Sequence, residues 1–196
     1  LPHWEVRGAW HFVTIRCEGS LPEAARERIR EIRRTLETID PNSPDFEQLQ
    51  RQYFLTAEKY LDAGDGFAPF TSPGLCEAAI TAFRKSATEG WELNDSVIMP
   101  NHVHLLTRKV SDSGLSLKKA LERLKGRSAR QINQAMKRRG RFWQEDWFDR
   151  WMRNEDELKR TIEYIRNNPV KAGLCKDWKT YHGYFNGQTD DGGTPC

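Results

Sequence analysis

Val97-Ile98-Met99-Pro100-Asn101-His102-Val103-His104-Leu105-Leu106 is the stretch on which the fold turns. Pro100-Asn101 is a turn signal between two apolar, β-branched runs, which predicts neighbouring strands over Trp91–Met99 and His102–Arg108. Side chains two apart on a strand share a face. His102 and His104 therefore project together, and Val103 turns into the core behind them. Upstream, Trp10–Cys17 (WHFVTIRC) is apolar on both alternating faces and reads as a strand buried on both sides. Between these strands the periodicity predicts three helices. The first runs over Leu21–Ile39, with Ile29, Ile32, Leu36 and Ile39 on one face. The second starts at Ser43-Pro44 and carries Phe46, Leu49, Tyr53, Ala57 and Tyr60. The third starts at Ser72-Pro73 and stops at Gly90.

Downstream, Ser116 opens a basic amphipathic helix with Leu117, Leu121, Leu124, Ser128, Ile132 and Met136 inward, expected to be irregular near Gly126. Phe142–Met152 alternates aromatic and polar residues and is expected as a strand. Asn154 with Glu157 three positions on is a capping-box start for a last helix. That helix is expected to end near Asn168, since Pro169 disfavours the α conformation before it. From Asn186 onward the composition is that of a disordered tail. Strands joined by a tight turn and mixed with helices give an α+β class around a mostly antiparallel sheet.

A chain of 196 residues is one domain's worth, and its 7 Trp, 9 Phe and 5 Tyr exclude disorder over most of the length. No apolar run is long enough for a membrane span, and the opening residues lack the basic and apolar regions of a secretory signal. The four cysteines contain no C-x-x-C pair, which removes zinc-knuckle and thioredoxin readings and points to a reducing, cytoplasmic setting. Net charge is only +3, yet Leu105 to Arg141 holds twelve Lys/Arg against Asp112 and Glu122. Such segregation fits a polyanion partner or a solvated helix face.

The paired histidines fit either a shared metal ion or two half-buried strand residues. Two hydrolase families with similar strings are excluded directly. Histidine-triad enzymes need a third alternating histidine, and position 106 is Leu; two-histidine phosphoesterases need two H-x-Thr/Ser motifs, and neither is present. On the last helix Tyr164 lies beside the Leu158–Ile162–Ile165 stripe, and Asn168 is about 40° round from it. A phenol and a carboxamide thus share a flank. This fits a nucleophile beside a metal site, or a boundary tyrosine with its hydroxyl in water.

Five strings occur in order: Val97 to Leu106, Leu124-Lys125-Gly126-Arg127-Ser128-Ala129, Phe142-Trp143-Gln144, Phe148-Asp149-Arg150, and Tyr164-Ile165-Arg166-Asn167-Asn168-Pro169-Val170-Lys171-Ala172-Gly173-Leu174. Together they resemble the REP-associated tyrosine transposases, a branch of the single-tyrosine HUH transposases. The resemblance covers residues 91–175 strongly and Gly8 to Cys17 more weakly. It implies a ferredoxin-like α+β domain with a central antiparallel sheet over residues 1–185; the chain departs from the family pattern in a longer helical insertion at about 20–72, with an added packing layer or a partner surface as its expected role, and residues 186–196 read as a tail. It further implies that His102, His104 and Asn168 bind Mg²⁺ or Mn²⁺ and that Tyr164 is the nucleophile. The implied substrate is single-stranded DNA beside a hairpin, cut through a 5′-phosphotyrosine link, by a monomer or a homodimer. Arg108, Lys109, Lys118, Lys125, Arg127, Arg130, Lys137, Arg138, Arg139 and Arg141 are the expected phosphate contacts. Trp143, Trp147 and Trp151 are candidate stacking platforms for unpaired bases. A domesticated hairpin binder that no longer cuts is the alternative.

Overall fold

Trp10–Arg16 forms the first strand, β1, and the five residues between its ends are all buried, as a strand apolar on both faces requires. In this computed structural model every residue is described except 1–2, 4, 41–42, 65, 87–89, 111–113 and 188–196. β1 is followed by α1 (Glu23–Thr38), α2 (Pro44–Ala63), a short 3₁₀ turn (Pro69–Thr71) and α3 (Pro73–Ser86). The hairpin β2 (Trp91–Ile98) and β3 (His102–Lys109) comes next, then α4 (Leu117–Ala135), β4 (Phe148–Trp151), α5 (Glu155–Lys171) and β5 (Tyr184–Phe185). The sheet order is β4-β1-β3-β2-β5, and every pairing is antiparallel. This is the α+β architecture around a central antiparallel sheet that the sequence implies.

β3 lies at the centre, and its alternation sorts the protein into layers. Val103 and Leu105 join Val13, Ile15 and the inward faces of α3 and α4 in one core. Leu106 joins Phe12, Val97 and residues of α1, α2 and α5 in the other. His102 and His104 share the parity of Leu106, so they face the α1–α2–α5 side. α4 packs on the opposite face of the sheet.

Helix starts follow the local chemistry. The Ser43 side chain accepts from the Asp45 N–H with Pro44 in the first turn, and α2 stops at Gly64 in the left-handed region (φ 72°). At α5 the Asn154 side chain accepts from the Glu157 N–H at 2.9 Å. Glu157 reaches back to the Arg153 N–H at 2.9 Å. The α1–α2 hairpin leaves and rejoins the domain at one point. The Phe67 N–H donates to the Gly19 carbonyl at 3.0 Å. A Cβ on Gly66 would lie 2.6 Å from that same carbonyl oxygen, so only glycine fits there.

Four expectations need correction. The strand expected over Phe142–Met152 is only β4, with an isolated bridge between Trp143 and Cys17. The aromatics before β4 alternate because a buried loop carries them. Trp143 and Trp147 are core residues, 3% and 5% exposed, and are therefore closed to stacking bases. α5 runs through Pro169 to Lys171 rather than ending at Asn168. A proline costs the helix one hydrogen bond, and the following turn still closes through Ala172 N–H to Asn168 O at 3.0 Å and Leu174 N–H to Pro169 O at 2.9 Å. α4 is continuous past Gly126, where an added Cβ would meet open space. β5 was not anticipated, and of the expected tail only residues 186–187 are described. Among the described residues no helix is long and apolar enough to cross a membrane.

Phe83 of α3 is fully buried and packs its ring on Trp143 and Phe185. Phe83→Ala is expected to cost about 3–5 kcal/mol, read as a lower urea midpoint with an unchanged slope.

Candidate metal and tyrosine site

Strand register assembles the first part of the site. β1 pairs with β3 so that Thr14 lies opposite His104, and Thr14 Oγ1 is 2.9 Å from His104 Nδ1. In the turn between β2 and β3, the buried Asn101 directs Oδ1 to His102 Nδ1 at 2.7 Å and donates through Nδ2 to the Leu61 carbonyl at 2.9 Å. A ring Nδ1–H donated to an oxygen fixes the tautomer and leaves the Nε2 lone pair free. Both Nε2 atoms point at one spot and lie 3.0 Å apart. Two lone pairs at that distance repel unless a cation or a proton lies between them.

α5 supplies the second part. Asn168, 5% exposed, places Nδ2 3.2 Å from His104 Nε2. Tyr164, one turn earlier, sets its ring edge-on to His104 with centroids 5.5 Å apart. α5 is held against β2 by an ion pair from Arg166 Nε to the buried Asp95 at 2.6 Å, and Arg166 also lies over Trp178. The sequence reading of His102, His104, Tyr164 and Asn168 as one constellation therefore corresponds to one cluster of side chains.

α2 supplies a residue that the sequence reading missed. Glu58 is 6% exposed; its Oε2 accepts from the Tyr164 hydroxyl and lies 3.3 Å from His104 Nε2. Glu58, His102 and His104 offer ligand atoms all within 4.8 Å of one another. The residues present suit a divalent cation, since two imidazoles, a carboxamide and a carboxylate converge in a dry site.

Electrostatics follow from that dryness. Burial pushes His102 down to about 3, with the neighbouring His104 adding to the effect, so the imidazole is neutral and able to ligate at pH 7. Burial would raise the Glu58 carboxyl, but His104 and its hydrogen bonds hold it below the usual range. Burial and the Glu58 carboxylate together drive the Tyr164 phenol far above its ordinary value. The nucleophile candidate thus keeps its proton at neutral pH.

The basic residues are distributed quite differently. Lys118, Lys125, Arg127 and Arg130 belong to α4, across the sheet from Tyr164. Arg127 and Arg130 line a cleft of about 730 Å³ with Lys85 and Arg123. Arg108 pairs with Glu92, and Lys109 pairs with Glu5 at 2.8 Å. Lys125 donates to the Glu145 carbonyl at 2.6 Å and lies over Trp147. Arg138 packs on Phe67 and Phe142, while Lys137, Arg139 and Arg141 are exposed. A second cleft, of about 660 Å³, is lined by Arg16, Arg26, Arg33, Lys118 and Arg141, with Glu122, Glu145 and Asp146 among them. Arg16, one of its lining residues, sits opposite His102 in the sheet.

Asp146 lines that second cleft and, with Asp149, holds His3 on Trp147. Burial lowers the His3 pKa, but hydrogen bonds to Asp146 and Asp149 outweigh it and leave the value above 6.5. A raised folded value contributes stability that is complete below 6.5 and lost as pH rises through the folded value. His3→Gln is therefore expected to lower the melting temperature at pH 5.5 and to have little effect at pH 9.

Comparison with known proteins bears on the family and on the fold. Residues 77–168 match the family model described as "Transposase IS200 like". The structure of a REP-associated tyrosine transposase bound to a REP hairpin aligns with a TM-score of 0.52 at 16% identity, over 94% of this chain and 80% of that chain. At that identity the likeness speaks for the fold. No curated protein matches the sequence.

Proposed function

We propose, from the match of residues 77–168 to the IS200-like transposase model, that the protein is a metal-dependent endonuclease and strand transferase for single-stranded DNA beside hairpins. The observation that carries the reading is the convergence of Tyr164 and Asn168 from α5 on His102 and His104 from β3. The catalytic unit is residues 1–185, with the α1–α2 hairpin as its insertion. His102, His104 and Asn168 would hold Mg²⁺ or Mn²⁺, which would supply positive charge to a non-bridging phosphate oxygen.

This chain's own residues do the rest. Tyr164 Oη attacks phosphorus in line with the departing deoxyribose 3′-oxygen. The Tyr–O–P bond forms, the P–O3′ bond breaks, and the phenol proton ends on the released 3′-hydroxyl. The phosphotyrosine ester conserves the energy of the original linkage, so another 3′-hydroxyl can reverse the step and join strands without ATP. Thr14 and Asn101 keep both imidazoles in the tautomer this requires. The basic clefts would hold the hairpin through phosphate contacts, with salt-sensitive affinity. The hairpin substrate is supported by the fold neighbour, whose structure holds a REP hairpin.

A denaturing gel tests the reading. Protein is incubated with labelled single-stranded hairpin DNA from repeats flanking its own gene, with Mn²⁺, Mg²⁺ or EDTA. The expected result is a labelled protein–DNA adduct that needs the metal and disappears in Tyr164→Phe, which retains hairpin binding. Salt-sensitive binding without an adduct would instead identify a domesticated binder.

A further inference from the structure

The α1–α2 hairpin looks like an added packing layer, but one of its residues reaches the centre of the site. We propose that Glu58 is a fourth donor to the cation held by His102, His104 and Asn168, and also the acceptor that fixes the Tyr164 hydroxyl beside it. The insertion is then a working wall of the active centre. This rests on the strand-transferase reading and adds to it a residue from outside the family-matched segment, 77–168.

Three observations support it independently. The first is position. Glu58 Oε2 touches both the nucleophile's hydroxyl and the space next to His104 Nε2, and among the described residues Glu58, His102 and His104 are the group with ligand atoms close enough to share an ion. The second is an unmet need: Glu58 Oε1 is buried and has no hydrogen-bond partner. An unpaired carboxylate oxygen in a dry core is costly, and a cation is the partner that would remove the cost. The third is donor chemistry. Two imidazoles and a carboxamide are neutral, whereas Mg²⁺ and Mn²⁺ favour anionic oxygen. Glu58 supplies the missing negative charge.

Neighbouring contacts hold the carboxylate in place. Asn101 orients His102 and also bonds the Leu61 carbonyl, one turn after Glu58 on α2. Phe54, one turn before Glu58, packs edge-on to Tyr164 with centroids 5.9 Å apart. A shift of α2 would therefore disturb the metal ligands and the nucleophile together.

Mn²⁺ binding to the full chain without DNA tests the proposal, measured by electron paramagnetic resonance of the free ion. The expected result is affinity weakened by about tenfold or more in the near-isosteric Glu58→Gln. Tyr164→Phe, which removes only the hydroxyl, is expected to bind Mn²⁺ like the wild type. Wild-type affinity in Glu58→Gln would overturn the proposal, as would absence of Mn²⁺ binding by the wild type. Should Glu58→Gln lose its cooperative melt, the wild type still decides. Mn²⁺ must then shift the carboxylate bands in infrared difference spectra, and unshifted bands overturn the donor role. A wild type that binds Mn²⁺ through Glu58 but forms no DNA adduct would uphold the donor role and reject the strand-transferase reading.

Discussion

Two imidazole lone pairs held 3.0 Å apart, away from water, set the terms for everything packed around them. Such a pair is unfavourable by itself, and the fold spends three elements on keeping it. β1 presents Thr14 to one ring, the β2–β3 turn presents Asn101 to the other, and α5 brings Asn168 alongside. The contacts of Thr14 and Asn101 hold the rings in place, while the Asn168 amide donates to His104 Nε2 and eases part of the repulsion. Two ring nitrogens turned on one spot beside a buried carboxylate are an arrangement that could hold a positively charged occupant.

The same dryness governs the tyrosine. In water a phenol of ordinary acidity would exchange its proton freely, but Tyr164 is enclosed by Phe12, Phe54 and His104 and donates to a carboxylate. Its acidity falls and its orientation becomes fixed. Burial thus exchanges intrinsic reactivity for placement, and placement counts for more when attack must occur in line with one leaving oxygen.

Much of this was legible in the chain itself, and the failures share a physical pattern. His102 and His104 could be read because a strand's period of two leaves no freedom about which face they share. Tyr164 and Asn168 could be read because four helical positions return to the same side. Glu58 could not be read as a motif. Its only signal was an acid at the middle of the Phe54–Glu58–Leu61 spacing, where an apolar residue would be expected on a buried stripe. The tryptophans before β4 misled because aromatic alternation reports burial, and a loop crossing a core is as buried as a strand. The basic segment was legible only as charge. Charge clustered in sequence says nothing about which side of a sheet receives it, and α4 lies on the side away from the tyrosine.

The junction where Phe67 meets Gly19 has a consequence for how such a domain can change over time. Because α1 and α2 depart and return at a single point, the pair forms a cassette whose gain or loss re-routes no strand and alters no pairing in the sheet. A lineage could acquire or discard it as one block while keeping the scaffold and both histidines. What would change is the cover over Phe12 and Leu106, the Leu61 acceptor that Asn101 uses, and the charge of the centre, through one carboxylate carried in on the cassette.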